Sequence, residues 1–350
     1  MAITMDRRSF LKLGTAVSVG TMIGGALAPG AEPAPAGAPP ANGRRPMIWG
    51  NLLHLSFNMW CDWDDPELKN RDIVYQPELR FDRGLWDDLL KQMQQARMNL
   101  VVIDLGDGVK YESHPEIAVK GAWSTTELRR ELRRMRSLGL GPVPKLNFST
   151  THDAWLGKYA RCVSTDAYYK VCRDLIAEVI RLFDRPRFFH LGMDEENYAN
   201  QKNYEHVVLR QHELWWHDFL SLVAQVEKGG VRAWIWSDYV WHHPELFYQR
   251  MPRSVLQSNW DYDEKFDESA PRAKAFLELD GHGYDQIPTG SNYFNSKNFV
   301  MLAEECSRRL APERLLGFLQ TPWKPTLEKY RQLHMQAIEQ VAQAMQRLGK

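Results

Sequence analysis

From Pro46 to its carboxyl terminus this 350-residue chain alternates without a break between short apolar runs and longer segments of helical spacing. Parallel strands must be joined by crossovers, usually helical, so strict alternation specifies a parallel sheet covered by helices. Strands are expected at residues 47–59, 99–105, 141–148, 187–196, 232–239, 254–260, 286–294 and 315–321. Helices are expected at 85–98, 124–138, 165–183, 204–227, a short stretch after Pro244, 272–279, 299–310 and 326–348. Ser124 with Glu127 forms a capping box at the start of the second helix, and Gly229-Gly230 closes the long one. Eight of each predict a single (β/α)8 barrel over 46–350. The alternative, an open doubly wound sheet, usually carries a glycine-rich phosphate turn after its first strand, and this sequence has none there.

The fourth strand carries the most chemistry. Residues 187–196 read RFFHLGMDEE, an apolar run that ends in three consecutive carboxylates. Strand alternation puts His190, Gly192 and Asp194 on one face, with Glu195 able to turn into the same pocket. Burial and a neighbouring like charge raise a carboxyl pKa, and a general acid must hold its proton. The bland reading of the same residues is an acidic helix start favoured by the helix dipole.

In such a barrel the active site lies at the carboxyl ends of the strands. Those ends supply His54, Asn58 and Trp60; Asp104 and Asp107; Asn147, His152 and Asp153; Asp194 and Glu195; Trp236, Asp238 and Trp241; Asn259, Trp260, Asp261 and Asp263; Asn292, Tyr293 and Asn295; Gln320 and Trp323. Amides and carboxylates bind hydroxyl groups, and indoles cover the apolar face of a sugar ring. Trp at the ends of four strands, in a chain with thirteen, favours sugar contact over core packing. A metal site built from His54, His152, His190, Asp194 and His242 competes, but the sequence has neither HxH nor HExxH spacing, and no cofactor is expected.

A formal net charge of +0 gives no reason to expect nucleic acid or an anionic membrane surface as a partner. Residues 1–28 read as an export signal. Arg7-Arg8 followed by Ser9, Phe10, Leu11 and Lys12 resembles the twin-arginine signal, and Ala26-Leu27-Ala28 has the form of a signal-peptidase site. The apolar run at 13–28 is too weak and glycine-rich for a membrane span, so stable membrane association is not expected. The expectation is a periplasmic or otherwise exported protein that meets the twin-arginine translocation machinery. Residues 29–45, rich in Ala, Pro and Gly, read as a linker. Cys61, Cys162, Cys172 and Cys306 lack CxxC spacing and are expected as free buried thiols.

These residues resemble glycoside hydrolase family 20, the β-N-acetylhexosaminidases. The family carries H-x-G-G-D-E at the end of strand four, and residues 190–195 here are HLGMDE. Residues 99–107 (NLVVIDLGD) resemble its second-strand N-x-x-x-x-H-L-x-D, and 124–128 (STTEL) its Y-T-x-E-E helix start. Residues 141–152 occupy the place of its V-I-P-E-x-D-x-P-G-H segment, 292–295 (NYFN) resemble its Y-x-D, and Trp323 its strand-eight Trp. The resemblance implies a substrate-assisted, retaining hydrolysis of amino-sugar glycans. It implies Glu195 as proton donor and later base, Asp194 orienting the 2-acetamido group, and Tyr293 holding the acetamido carbonyl. It further implies Asp107 and His152 as a relay to Glu195, and Trp236, Trp260 and Trp323 as sugar walls. His190, Asn58, Asp238 and Asn295 complete the expected substrate contacts.

The sequence also departs from the pattern. No Arg stands at 54–58 where the family has one, its strand-three acids fall near Lys145 and Asn147, its strand-seven Asp is Asn295, and Pro325 stands where its strand-eight Glu would be. Two other functions therefore stay open: a retaining glycosidase with a carboxylate nucleophile such as Asp238 or Asp261, and a carbohydrate-binding barrel without turnover.

Overall fold

The structure, a computed structural model, describes residues 46–350. The export signal expected at 1–28 and the linker expected at 29–45 lie outside the described residues.

Eight parallel strands form one sheet: β1 (Ile48–His54), β2 (Leu100–Asp104), β3 (Gly141–Lys145), β4 (Phe188–His190), β5 (Arg232–Trp236), β6 (Leu256–Ser258), β7 (Thr289–Gly290) and β8 (Gly317–Gln320). Their order is β6-β5-β4-β3-β2-β1-β8-β7, each strand parallel to its neighbours. The ring closes between β6 and β7 through parallel bridges pairing Gln257 with Gln286 and Trp260 with Thr289. Pro288, which has no N–H to give, keeps the β7 ladder short of the expected 286–294. The (β/α)8 barrel expected from the alternation is the observed fold.

Each strand is buried on both faces, which is why the runs read as apolar rather than amphipathic. One set of alternating residues (Ile48, Leu52, Leu100, Val102, Val143, Phe188, Trp234, Leu256, Ile287, Leu319) packs together as the barrel interior. The other set (Trp49, Leu53, Val101, Ile103, Phe189, Ile235, Phe318) packs against the surrounding helices. Those are α1 (Arg83–Gln95), α2 (Thr125–Ser137), α3 (Asp166–Leu182), α4 (His212–Lys228), α5 (Pro244–Arg250), α6 (Pro271–Gly281), α7 (Asn298–Arg309) and α8 (Arg331–Arg347). The capping box at Ser124 and Glu127 forms as the sequence predicts. Among the described residues, no helix is long and apolar enough to cross a membrane.

The first strand and the long fourth helix are also shorter than their sequence pattern. The first strand stops at His54, because Ser56 and Asn58 turn away to bind Asp107. The helix expected from 204 begins only at His212: Tyr204 is anchored through its hydroxyl to the Met59 carbonyl, and Arg210 is drawn into a buried cluster with Glu196 and Asp218. All four cysteines are free; Cys61, Cys172 and Cys306 are buried and Cys162 is partly exposed.

Candidate active site

Strand β4 ends at His190, and the three carboxylates follow in a loop rather than on the strand. Gly192, Met193 and Glu195 all take left-handed backbone angles, with φ of 74°, 74° and 54°. Such angles cost a side-chain-bearing residue free energy and persist only where the surroundings enforce them. At Gly192 the enforcement is steric: a Cβ there would lie 1.8 Å from Asn147 Oδ1. Asn147 packs against that bare backbone. Its Oδ1 accepts from the N–H groups of Met193 (3.2 Å) and Ser149 (3.0 Å), and its Nδ2 donates to Asp194 Oδ1 at 2.8 Å. The hydroxyls of Ser149 and Thr151 both donate to the Asp194 carbonyl. The Glu195 N–H donates to Asp238 Oδ2 at 2.8 Å.

The loop brings Asp194 and Glu195 to the two nitrogens of one imidazole. His152 Nδ1 lies 3.5 Å from Asp194 Oδ1, and Nε2 lies 3.6 Å from Glu195 Oε2. Burial holds the Glu195 carboxyl above its usual range; His152 and Arg272 pull it back and the Asp194 charge pushes it further up. Burial, and after it the Asp194 charge, push the Asp238 carboxyl well above the ordinary range. His152, Asp194 and Glu195 are also the one set among the described residues able to hold a metal ion, with ligating atoms within 4.8 Å of one another.

Glu195, Asp194 and His152 line a cavity of about 290 Å³, near the lower end of the range for small-molecule sites. Its walls are aromatic: Phe57, Trp60, Trp236, Trp260, Tyr262, Tyr293, Phe294 and Trp323. Trp260 stacks on Tyr262 with ring centres 5.0 Å apart, and Trp323 Nε1 donates to the Tyr262 hydroxyl at 2.8 Å, so these rings are fixed before any ligand arrives. Glu195 and Trp260 also border a second hollow of about 750 Å³, lined by Trp241, Arg272 and Asp238 among others. The carboxyl of Glu195 therefore stands between two spaces.

Of the site residues expected from sequence, Glu195, Asp194, His152, Trp236, Trp260, Trp323 and Tyr293 meet in the one cavity. Asp238 lies behind Glu195 and borders the larger hollow. The relay expected between Asp107 and His152 does not form. Asp107 instead accepts from Ser56 Oγ and from Asn58 Nδ2 (3.0 Å), and burial raises its carboxyl to about 7. Asn58 is not a substrate contact, because its amide is used up on Asp107, Arg80 and the Gln76 backbone. His190 is fully buried in the barrel, packed 4.3 Å from Trp236, and takes the Gly192 N–H on Nδ1; burial holds it neutral. Asn295 accepts from the N–H groups of Lys297 and Asn298 at the start of α7, donates to the Tyr262 carbonyl, and does not line the cavity.

Sequence reasoning missed Asp72, Ile73, Tyr262 and Lys324, which also line the cavity. Lys324 carried a signal, being adjacent to a Trp already placed at a strand end. Asp72 sits in an aperiodic loop and carried none. Lys145, aligned with a family carboxylate, turns out to be fully buried in the barrel and paired with Asp104, which also lies 3.5 Å from His54.

No family model matches the chain, and no curated protein matches it. Solved structures do. A β-N-acetylhexosaminidase from Bacteroides fragilis is 15% identical with a TM-score of 0.58, over 83% of this chain and 65% of that one. The N-acetyl-β-hexosaminidase of Streptomyces plicatus, solved with thio-NAglucal, is 13% identical with a TM-score of 0.57, over 85% and 64%. An exo-β-N-acetylglucosaminidase from Vibrio harveyi, solved with N-acetylglucosamine, is 12% identical with a TM-score of 0.57, over 87% and 56%. The chain spans less than two thirds of the length of each. At such identities the shared feature is the barrel.

Proposed function

We propose that this protein is a glycoside hydrolase acting on β-N-acetylhexosaminides, by the substrate-assisted retaining route that its resemblance implies. The observation that carries the reading is the placement of Asp194 and Glu195 on either nitrogen of His152, in an aromatic cavity at the end of β4. Solved hexosaminidases share the barrel, and residues 190–195 stand at the end of β4, the strand end where the resemblance puts the family's motif.

In this reading Glu195, its carboxyl raised by burial, gives its proton to the glycosidic oxygen as the bond from that oxygen to the anomeric carbon breaks. The 2-acetamido carbonyl oxygen of the same sugar attacks the anomeric carbon from the other face, forming a cyclic oxazolinium. Asp194 accepts from the acetamido N–H and balances the positive charge, and Tyr293 donates to the acetamido oxygen. Water then attacks the anomeric carbon as its bond to the acetamido oxygen breaks, giving its proton to the Glu195 carboxylate; the acetamido group is restored and the configuration is retained. Asp238 is poorly suited to be a nucleophile, since it is buried, its carboxyl is raised by that burial, and it is bonded to the Glu195 backbone. The pair of arginines at 7 and 8 supports action outside the cytoplasm.

The test compares aryl β-N-acetylglucosaminide, β-N-acetylgalactosaminide and β-glucoside, each with wild type and Glu195→Gln. Cleavage of the acetamido substrates alone is expected, slowed in the variant and most so where the leaving group is poor. Equal cleavage of the glucoside would remove substrate assistance, and sugar binding without any cleavage would leave a binding barrel.

A further inference from the structure

The cavity is lined by five side chains able to carry charge. Three are Glu195, Asp194 and His152. The other two, Asp72 from the loop after β1 and Lys324 from the loop after β8, are used by none of the chemistry above. They are 252 residues apart in the chain and joined by an ion pair, Lys324 Nζ to Asp72 Oδ2 at 3.1 Å.

A sugar ring entering an aromatic cavity loses the water on its hydroxyls, and each unreplaced hydrogen bond opposes binding. The ring faces on the walls cannot replace them, which leaves the indole N–H groups, the Tyr293 hydroxyl and the side chain of Lys324 as donors. The Tyr262 hydroxyl is engaged by Trp323 Nε1. Lys324 has capacity to spare. An ammonium carries three N–H donors. One goes to Asp72, and the nitrogen otherwise lies 5.3 Å from the ring centre of Tyr293 and 4.8 Å from that of Tyr330. Among the described residues it has no other carboxylate partner. Asp72 is itself anchored by Lys329 Nζ (2.9 Å) and the Tyr330 hydroxyl, so it fixes Lys324 rather than following it. A donor fixed in advance loses little freedom when it binds.

We propose that Lys324 is the specificity-determining residue of this cavity, its ammonium donating to a hydroxyl of the sugar ring bound there, with Asp72 as the positioning residue that holds it. The proposal rests on the reading that the cavity takes a sugar ring. It assigns to the loops after β1 and β8 the task of telling one hexose pattern from another, while β3 and β4 supply the acid–base groups.

The experiment measures binding of N-acetylglucosamine and its 3-, 4- and 6-deoxy forms to wild type, Lys324→Met, Lys324→Arg and Asp72→Asn, by intrinsic Trp fluorescence, with turnover of the aryl glycoside measured in parallel. Wild type is expected to bind one deoxy sugar about 10- to 100-fold more weakly than the parent, the usual worth of a hydrogen bond from a charged donor. Lys324→Met is expected to bind the parent as weakly as wild type binds that deoxy sugar, and to lose the distinction between the two. Lys324→Arg should restore part of it. Asp72→Asn should keep the rank order with a smaller ratio. Asp72 retains Lys329 and Tyr330 in the Met variant, so the fold should hold, with a melting temperature close to wild type.

If Lys324→Met weakens all four sugars by one factor and keeps the wild-type rank order, Lys324 is structural and the proposal falls, whatever the turnover. Hydroxyl-selective binding without turnover in wild type would instead sink the hydrolase reading and uphold Lys324. Absence of binding by all four sugars would overturn both.

Discussion

The backbone N–H of Glu195 donates to Asp238 Oδ2 at 2.8 Å, so the turn that presents the carboxyl of Glu195 is pinned by the side chain at the end of the next strand. This contact assigns Asp238 to holding the loop. Asp238→Asn keeps an oxygen acceptor and should retain turnover within about tenfold, whereas Asp238→Ala should lose roughly 10- to 100-fold, the worth of one to two hydrogen bonds. Measured kcat for both variants checks this. Equal and near-total loss in both would return Asp238 to the nucleophile role.

Glu195→Gln should lower kcat by roughly two to four orders of magnitude on a substrate with a poor leaving group, and less on an activated aryl glycoside that needs little protonation. Parallel kinetics on the two substrates test the difference. The same factor on both would take Glu195 out of the proton-donor role.

The pH profile should carry the signs of the two neighbours of Glu195. Asp194 raises its carboxyl and His152 lowers it. The alkaline limb of kcat, which falls as the acid loses its proton, should therefore move down in pH in Asp194→Asn and up in His152→Ala. Residual rates across pH 4 to 9 would show this, and shifts in one common direction would contradict the electrostatic assignment.

Gly192→Ala sets a Cβ against Asn147 Oδ1 at 1.8 Å on a left-handed backbone. Displacing Asn147 would unfasten Met193 and Asp194 together. The variant should lose at least about 2 kcal/mol of stability and most of its activity. Thermal unfolding gives the answer; an unchanged melting temperature would mean that Asn147 is free to move aside.

Asp107 makes a pH-dependent contribution of opposite sense to a salt-bridged carboxylate. Burial raises it to about 7 in the folded chain, against roughly 3.9 when unfolded. Below pH 4 it is protonated in both states. Between 4 and 7 only the unfolded chain gives up the proton, so stability falls as pH rises, by an amount on the order of 2–4 kcal/mol, and levels off above 7. Denaturant unfolding from pH 4 to 8 should show a shallower decline in Asp107→Asn, and identical slopes would point to another group.

The sequence by itself determined the barrel. Eight apolar runs, each followed by a helix, call for a parallel sheet buried on both faces, the missing glycine-rich turn favours the closed form over the doubly wound one, and the runs at 99–105 and 141–148 form the strands expected. It also located Asp194, Glu195, His152 and four ring side chains of the cavity, because a strand end is visible in sequence and barrel geometry sends strand ends to one place. Only the tertiary structure decided what each polar residue does there. His190 and Asn58 have the composition of a binding site, yet one is buried within the barrel and the other spends its amide on Asp107, since hydrogen-bond partners come from distant loops that periodicity does not encode. Asp72 and Lys324 are the converse case: nothing local marks Asp72, and 252 residues separate the pair until the barrel brings the loops after its first and last strands side by side.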